Sequence, residues 1–493
     1  MEASARPEPR GGNWAAAVRW LPFWTAFAVA LALRLAWLDL RPLHHDEGVN
    51  AWIASRPLEG FGIAYDPVNF HGPFLFFLVL PFLGVLGTSD LVLRLPAALV
   101  SAAMVPLLLP LRRRLGLAGI TAAAWLLALS PSFVAYGRNL IHETFLAALT
   151  LALVAAAASW LEERREQRLI LAAFCLGLLA TVKETWVLTV TVLAIAAVLA
   201  RLWARGRPDL RELWGAPRKG TAWRAAAAFG IPYVFLYTSF FTAPRGVIDS
   251  VRTFLFWADR GLGGAGHGKP WAYFPRLLLS FETVTVACAV AGGLLALRKR
   301  DAFGVFCALW AAGQLAAYSL LTYKTPWLAL NMVLPAVLAA GLLFREAWRW
   351  RRPWRWALAV PFVLGLAWSG WRAVEVSFFR FEDSRLSLVY VPTSPEVRAL
   401  VADVREAARR LPPEGSVRIL VRYAWPLPWY LNGLPGLQYD NKIPPAPDGG
   451  VLVVDKELEG KLRPLLKQRY QRREYLLRPG KVVVVYVNKG VGS

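Results

Sequence analysis

Cysteine, methionine and histidine are scarce, at 3, 3 and 5 of 493 residues. The three cysteines, Cys175, Cys288 and Cys307, sit inside apolar stretches without metal-ligand spacing. They read as core residues and indicate neither a thiolate metal site nor a disulfide framework, and they leave the redox compartment open. Acidic side chains are also few, 33 against 56 Lys and Arg, for a net charge of +23. In a soluble chain that excess would point to nucleic acid. Here the arginines cluster in short loops between apolar runs, which is the positive-inside pattern, so the expected neighbour is membrane lipid and no nucleic acid partner is expected. The stretch 1–20 lacks a short apolar core followed by a small-residue cleavage site. No removed signal peptide is expected, and the first apolar run should stay as an anchor.

Apolar residues, by contrast, make up 56% of the chain, with 23 Trp among them. One soluble core does not bury that much, so the chain reads as a polytopic α-helical membrane protein. Runs of roughly 17 to 25 apolar residues, long enough to cross a ~30 Å hydrocarbon layer, recur to about residue 371. Spans are expected near 22–40, 91–111, 117–135, 144–160, 169–182, 185–202, 225–241, 276–297, 302–321, 327–344 and 356–371. The apolar segment 74–87 is short for a span and suits a helix on, or re-entering, the membrane surface. If it does not cross, the Arg-rich loops at 112–114, 164–168, 201–224, 298–300 and 345–355 all share the N-terminal side, which is then cytoplasmic. The expectation is therefore about eleven spans in a transmembrane domain of residues 1–371, with a cytoplasmic N-terminus and an extracytoplasmic C-terminus.

Beyond residue 371 apolar runs shorten. Ser394-Pro395-Glu396 opens an amphipathic helix ending near Arg410, with Ser394 as cap and Pro395 in the first turn. Three β-branched runs, 417–421, 451–454 and 482–487, predict strands, and a helical stretch near 456–468 separates the last two. Residues 372–493 thus read as a small soluble α/β domain on the outer face, without repeats or long disordered segments.

This topology gathers the unusual polar residues on the outer face: the first outer loop 41–90, the turns around Glu143, Lys183 and Lys324, and the loop 242–275. His44-His45-Asp46-Glu47 follows the first span. A carboxylate partly shielded from water there suits proton removal from an acceptor hydroxyl, although charged residues also simply mark a helix end. Arg138 and Glu143 flank another span, and Glu143 also suits a helix start electrostatically. Asp46 and Glu143 with His71 would suit Mg, Mn or Zn with positions left open for water or phosphate. Lys183 and Lys324 run against the charge bias of the outer face, so they are candidates for phosphate, with snorkelling to lipid headgroups as the alternative. The glycine-rich stretch 261–269 reads as a mobile lid that brings His267 and Lys269 into the site.

The ordered motifs His45-Asp46-Glu47-Gly48, Tyr65-Asp66-Pro67, His71-Gly72-Pro73, Arg94-Leu95-Pro96, Ser130-Pro131-Ser132 and Lys324-Thr325-Pro326-Trp327 cover about residues 35–330. They resemble the GT-C membrane glycosyltransferases, most nearly the prokaryotic flippase-activity-associated protein family. Protein O-mannosyltransferases and the lipid A aminoarabinose transferase are more distant relatives. Trp425-Pro426-Leu427-Pro428-Trp429-Tyr430 also resembles the first of these families. The resemblance implies a GT-C fold, a polyprenyl-phosphate-linked sugar donor and inversion at the anomeric carbon, with Asp46 as general base. Glu47 would support it, and Glu143 would stand where relatives more often carry aspartate. Charge and position make Arg138, Lys183, Lys324 and Lys269 the candidates for the donor phosphate, and His71, Glu143 and His267 those for a metal. His71-Gly72-Pro73 replaces the Glu-Lys-Pro of the aminoarabinose transferase and so lacks its lysine. Sugar and acceptor (protein, glycolipid or polysaccharide) stay open. Two other readings are a lipid-sugar flippase or flippase accessory, for which polar residues at span ends and the absence of repeated halves fit poorly, and a scaffolding protein.

Overall fold

In the computed structural model, residues 12–68, 71–205, 219–263, 268–413, 415–440 and 442–490 are described. With no water in hydrocarbon to satisfy peptide groups, the long apolar segments close their hydrogen bonds internally as helices. In chain order these are α1 (Gly12–Leu35), α2 (His45–Ser55), α3 (Phe74–Leu86), α4 (Asp90–Ala103), α5 (Arg112–Leu129), α6 (Pro131–Gly137), α7 (His142–Glu163), α8 (Glu166–Ala180), α9 (Trp186–Arg205) and α10 (Lys219–Tyr237). The series continues with α11 (Gly246–Gly263), α12 (Tyr273–Phe281), α13 (Thr283–Lys299), α14 (Ala302–Leu320), α15 (Leu330–Ala347) and α16 (Arg352–Val374).

The protein is a multi-pass membrane protein. Among the described residues seven segments are long and apolar enough to cross a bilayer, or eight if the bent pair α12–α13 is one span. This is fewer than the eleven expected from sequence. Part of the difference lies in Asp90–Leu129, which counts once although it is 40 residues long. As one straight helix it would extend ~60 Å, twice the hydrocarbon thickness. It is broken by a 3-10 turn at Pro106–Leu111, inside the first of the two spans expected there (91–111), and by Gly116 at φ +63°, between the two. α8 has only 15 residues, and α10 also falls outside the seven. The segment Pro326–Ala347 is the axis of the bundle, 94% buried by its neighbours, whereas Arg352–Phe379 is 17% buried and turns its Trp residues outward. The segment expected to lie along or re-enter the membrane is α3, 13 residues and about 20 Å long. The loop 242–275, read as flexible from its glycines, carries α11 over Gly246–Gly263. Glycine content at its end masked the helical spacing of Val247, Val251 and Phe254 before it.

The C-terminal sheet domain opens with α17 (Glu396–Arg409); its N-cap position is Pro395, one residue after the expected Ser394, and Glu396 N donates to Ser394 Oγ (3.3 Å). Its strands are β1 (Val417–Leu420), β2 (Leu437–Tyr439), β3 (Val451–Asp455), β4 (Tyr470–Arg478) and β5 (Lys481–Asn488), with short helices α18 (Leu427–Tyr430) and α19 (Lys456–Leu462) between them. The sheet order is β2-β1-β3-β5-β4, parallel across the first three strands and antiparallel across the last three. β3 is buried on both faces: Val451 and Val453 face α17, while Leu452 and Val454 face Leu462. The β-branched runs predicted β1, β3 and β5. β2 and β4 are the sheet edges, with Gln438 and Tyr439 of β2 and the run Gln471–Glu474 of β4 exposed, which leaves no apolar alternation to read.

Candidate functional site

α2 begins where the chain leaves α1. His44 caps it: Asp46 N donates to His44 Nδ1 (3.1 Å) and His44 N donates to Glu47 Oε2 (2.9 Å). The adjacent carboxylates then diverge. Glu47 is fully buried and accepts from Arg94 Nε and Nη2, 2.8 Å each, and from Leu140 N at 2.9 Å. Burial opposes its charge, but Arg94, Arg41 and the His44 amide outweigh it and hold Glu47 at about 2. Asp46 is half-buried, and no hydrogen bond or ion pair reaches its carboxylate among the described residues.

His44, two residues before Asp46, lines a cavity of about 40 Å³ together with Arg41, Tyr136, Arg138, Asn139, Trp327 and Tyr390, among others; Asp46 itself is not part of the lining. Trp327 sets the shape of the cavity, meeting His44, Tyr136 and Tyr390 edge-on at 5.8, 6.1 and 5.5 Å. His44 Nε2 and Asn139 Oδ1 are buried without a hydrogen-bond partner among the described residues. Burial lowers the His44 pKa, which favours the neutral ring that accepts at Nδ1 and carries its proton on Nε2. Burial also brings Arg41 down to about 10. The Arg138 guanidinium is occupied: it donates to Leu33, Arg34, Ala36 and Trp37 carbonyls and so caps the end of α1. Lys269 adjoins Tyr390, its ammonium 4.3 Å from that ring centre and 4.4 Å from that of Tyr273. Its Nζ donates to Lys324 O (2.9 Å) while Lys324 Nζ donates to Lys269 O (3.1 Å), clasping the loop to the turn. Burial first and Lys324 second push Lys269 down to about 8.

A second cluster forms around Gly72. A Cβ there would lie 2.1 Å from Thr181 O, so only glycine permits this approach, which Phe74 N seals by donating to the same carbonyl (3.0 Å). The contact brings His71 Nδ1 to 2.9 Å from Glu184 Oε2 and stacks its ring 4.5 Å from Trp257. Lys183 Nζ lies 2.5 Å from Glu143 Oε1, both side chains buried, and Glu143 holds Lys183 charged against the cost of burial. His71 and Glu143 are therefore each engaged elsewhere, and His267 lies outside the described residues. No three His, Cys, Asp or Glu side chains converge as a metal set among the described residues. The α6–α7 turn joins the two clusters, since Tyr136 lines the cavity, Leu140 N binds Glu47, and Glu143 meets Lys183.

Several contributors escaped the sequence reading. Arg41 follows the first apolar helix and lines the cavity, a cation of the expected first outer loop that was not singled out from sequence. Tyr136 and Tyr390 carried no signal beyond being aromatic. Glu282, buried at the 104° bend between α12 and α13, accepts from Ser130 Oγ (2.6 Å) and Ser132 N (2.9 Å). It thereby gives the Ser130-Pro131-Ser132 motif a structural purpose.

The architecture is the GT-C fold of membrane glycosyltransferases, as the resemblance implies. Residues 70–214 match the family described as dolichyl-phosphate-mannose-protein mannosyltransferase. Among solved structures, the crystal structure of ArnT from Cupriavidus metallidurans bound to undecaprenyl phosphate superposes with a TM-score of 0.66 at 15% identity, covering 98% of this chain and 100% of that one. Its apo form gives 0.68 at 16% identity, covering 95% and 98%. No curated relative matches by sequence.

Proposed function

We propose that the protein transfers a sugar from a polyprenyl-phosphate donor to an acceptor on the extracytoplasmic face of the cell membrane, with Asp46 as general base. The observation that carries the reading is the contrast within one dipeptide. Glu47 is saturated by Arg94 and backbone amides, whereas Asp46 keeps its carboxylate unpaired among the described residues, two residues after His44, which with Arg41 lines the cavity. The acceptor oxygen gives its proton to Asp46 and attacks the anomeric carbon opposite the phosphate. The bond from that carbon to the phosphate oxygen breaks, polyprenyl phosphate leaves with the electron pair, and the configuration inverts. Lys269 and Arg41 supply positive charge where the departing phosphate gains negative charge. His44 Nε2 and Asn139 Oδ1 offer one donor and one acceptor to a sugar hydroxyl. Glu47 positions the first turn of α2. The Lys183–Glu143 pair braces the α8–α9 turn, and Lys183 reaches a phosphate only by exchanging Glu143 for it. The polyprenyl phosphate bound to the ArnT relative supports this donor class.

The test incubates the purified chain with a panel of polyprenyl-phosphate sugars and measures free polyprenyl phosphate. Release with one donor supports the reading. Movement of intact donor across a reconstituted bilayer without cleavage would replace it with a flippase.

A further inference from the structure

The sheet domain reaches the candidate base. Tyr430 OH donates to Asp90 Oδ2 and accepts from Leu43 N, both at 2.7 Å, and Thr393 Oγ1 donates to Leu43 O (2.8 Å). Trp425 and Pro426 lie on α2 itself. A Cβ on Gly48, two residues after Asp46, would stand 2.8 Å from Pro426 Cβ, and Trp425 meets Trp52 edge-on at 6.1 Å. What holds this strap is Arg478, at the end of β4: its Nη2 donates to Tyr423 O and Trp425 O, 2.7 Å each. One side chain therefore ties the edge of the sheet to the strap that covers the helix turn after Asp46.

We propose that the sheet domain is a working part of the transfer site, with Arg478 a positioning residue that clamps the Tyr423–Pro426 strap onto Gly48, in the helix turn that carries Asp46. The inference rests on the transfer reading for its catalytic consequence, but not for the contact itself. A hydrophobic lid alone would need only Trp425 and Pro426. An arginine bonded to two strap carbonyls holds that strap against the helix turn after Asp46, and so fixes the backbone that carries the carboxylate.

The test uses the full chain with Arg478→Ala, Arg478→Lys and Gly48→Ala. Hydrogen exchange at the amides of residues 45–50 should accelerate in Arg478→Ala and Gly48→Ala while strands Val451–Asp455 and Lys481–Asn488 stay protected. Turnover should fall by on the order of ten- to a hundredfold in kcat, with donor KM little changed, because a small misplacement of a reacting group costs that much. Arg478→Lys, which keeps a cationic donor, should recover part of both effects. The Arg478→Ala/Gly48→Ala double variant should be about as impaired as either single one, since both release the same strap. Unchanged exchange at 45–50 in Arg478→Ala overturns the contact, whatever the activity. Faster exchange with wild-type kcat overturns the positioning role. A wild-type chain that releases no polyprenyl phosphate defeats the transfer reading instead, and the exchange arm still decides the contact.

Discussion

Arg94 grips both oxygens of Glu47 at 2.8 Å, with neither side chain exposed to solvent. The same guanidinium also donates to Leu38, Arg41 and Pro42 carbonyls, so one residue of α4 fixes the α1–α2 junction and the first turn that carries Asp46. Removing one partner of such a pair strands the other as a buried charge. Arg94→Met should therefore destabilise the protein by about 3–5 kcal/mol and lower its unfolding temperature in detergent. The double variant Arg94→Met/Glu47→Leu should recover much of that loss.

The pair also dictates an acid response. Glu47 sits at about 2 when folded against an ordinary 4.5, so its contribution is present above pH 4.5 and drains away as pH falls toward about 2. Unfolding temperature measured across that window should drop for the wild type. The drop should be shallower in Glu47→Gln, which has no such proton to take up.

Lys269 predicts a limb at the other end of the scale. With a pKa near 8, it loses its charge as pH rises through that value. Donor KM should climb above pH 8, and Lys269→Gln should show a KM raised roughly tenfold at neutral pH and flat across that limb. Steady-state kinetics from pH 6.5 to 9.5 check this.

Gly72→Ala should be out of proportion to its size. A methyl 2.1 Å from the Thr181 carbonyl forces the segment before α3 off the α8–α9 turn, separating His71 from Glu184. A loss of about 1–3 kcal/mol is expected, and thermal unfolding in detergent measures it.

What could be read from sequence followed physical signal strength. Long apolar runs and charge asymmetry gave the helical membrane class, and β-branched runs gave the three inner strands. The edge strands β2 and β4 were invisible because solvent, not packing, faces Gln438, Tyr439 and the run Gln471–Glu474. Asp46, Lys324 and Lys183 stood out because a charge near hydrocarbon needs a reason. Their partners did not: Glu47 reads as Asp46's twin until Arg94, 47 residues away, is seen to consume it. Arg478 ends an edge strand whose charged run Arg472-Arg473-Glu474 reads as a solvated face. Contacts across such separations are set by tertiary packing and leave no local period.

The central claim is that Asp46 takes the acceptor proton. The direct measurement is polyprenyl phosphate release, with the anomeric configuration of the product, by wild-type and Asp46→Asn chains of matched thermal stability on the donor that the panel identifies. The account predicts an inverted product from the wild type and a rate about a thousandfold lower from Asp46→Asn. Transfer by Asp46→Asn at the wild-type rate, or a product of retained configuration, would contradict it.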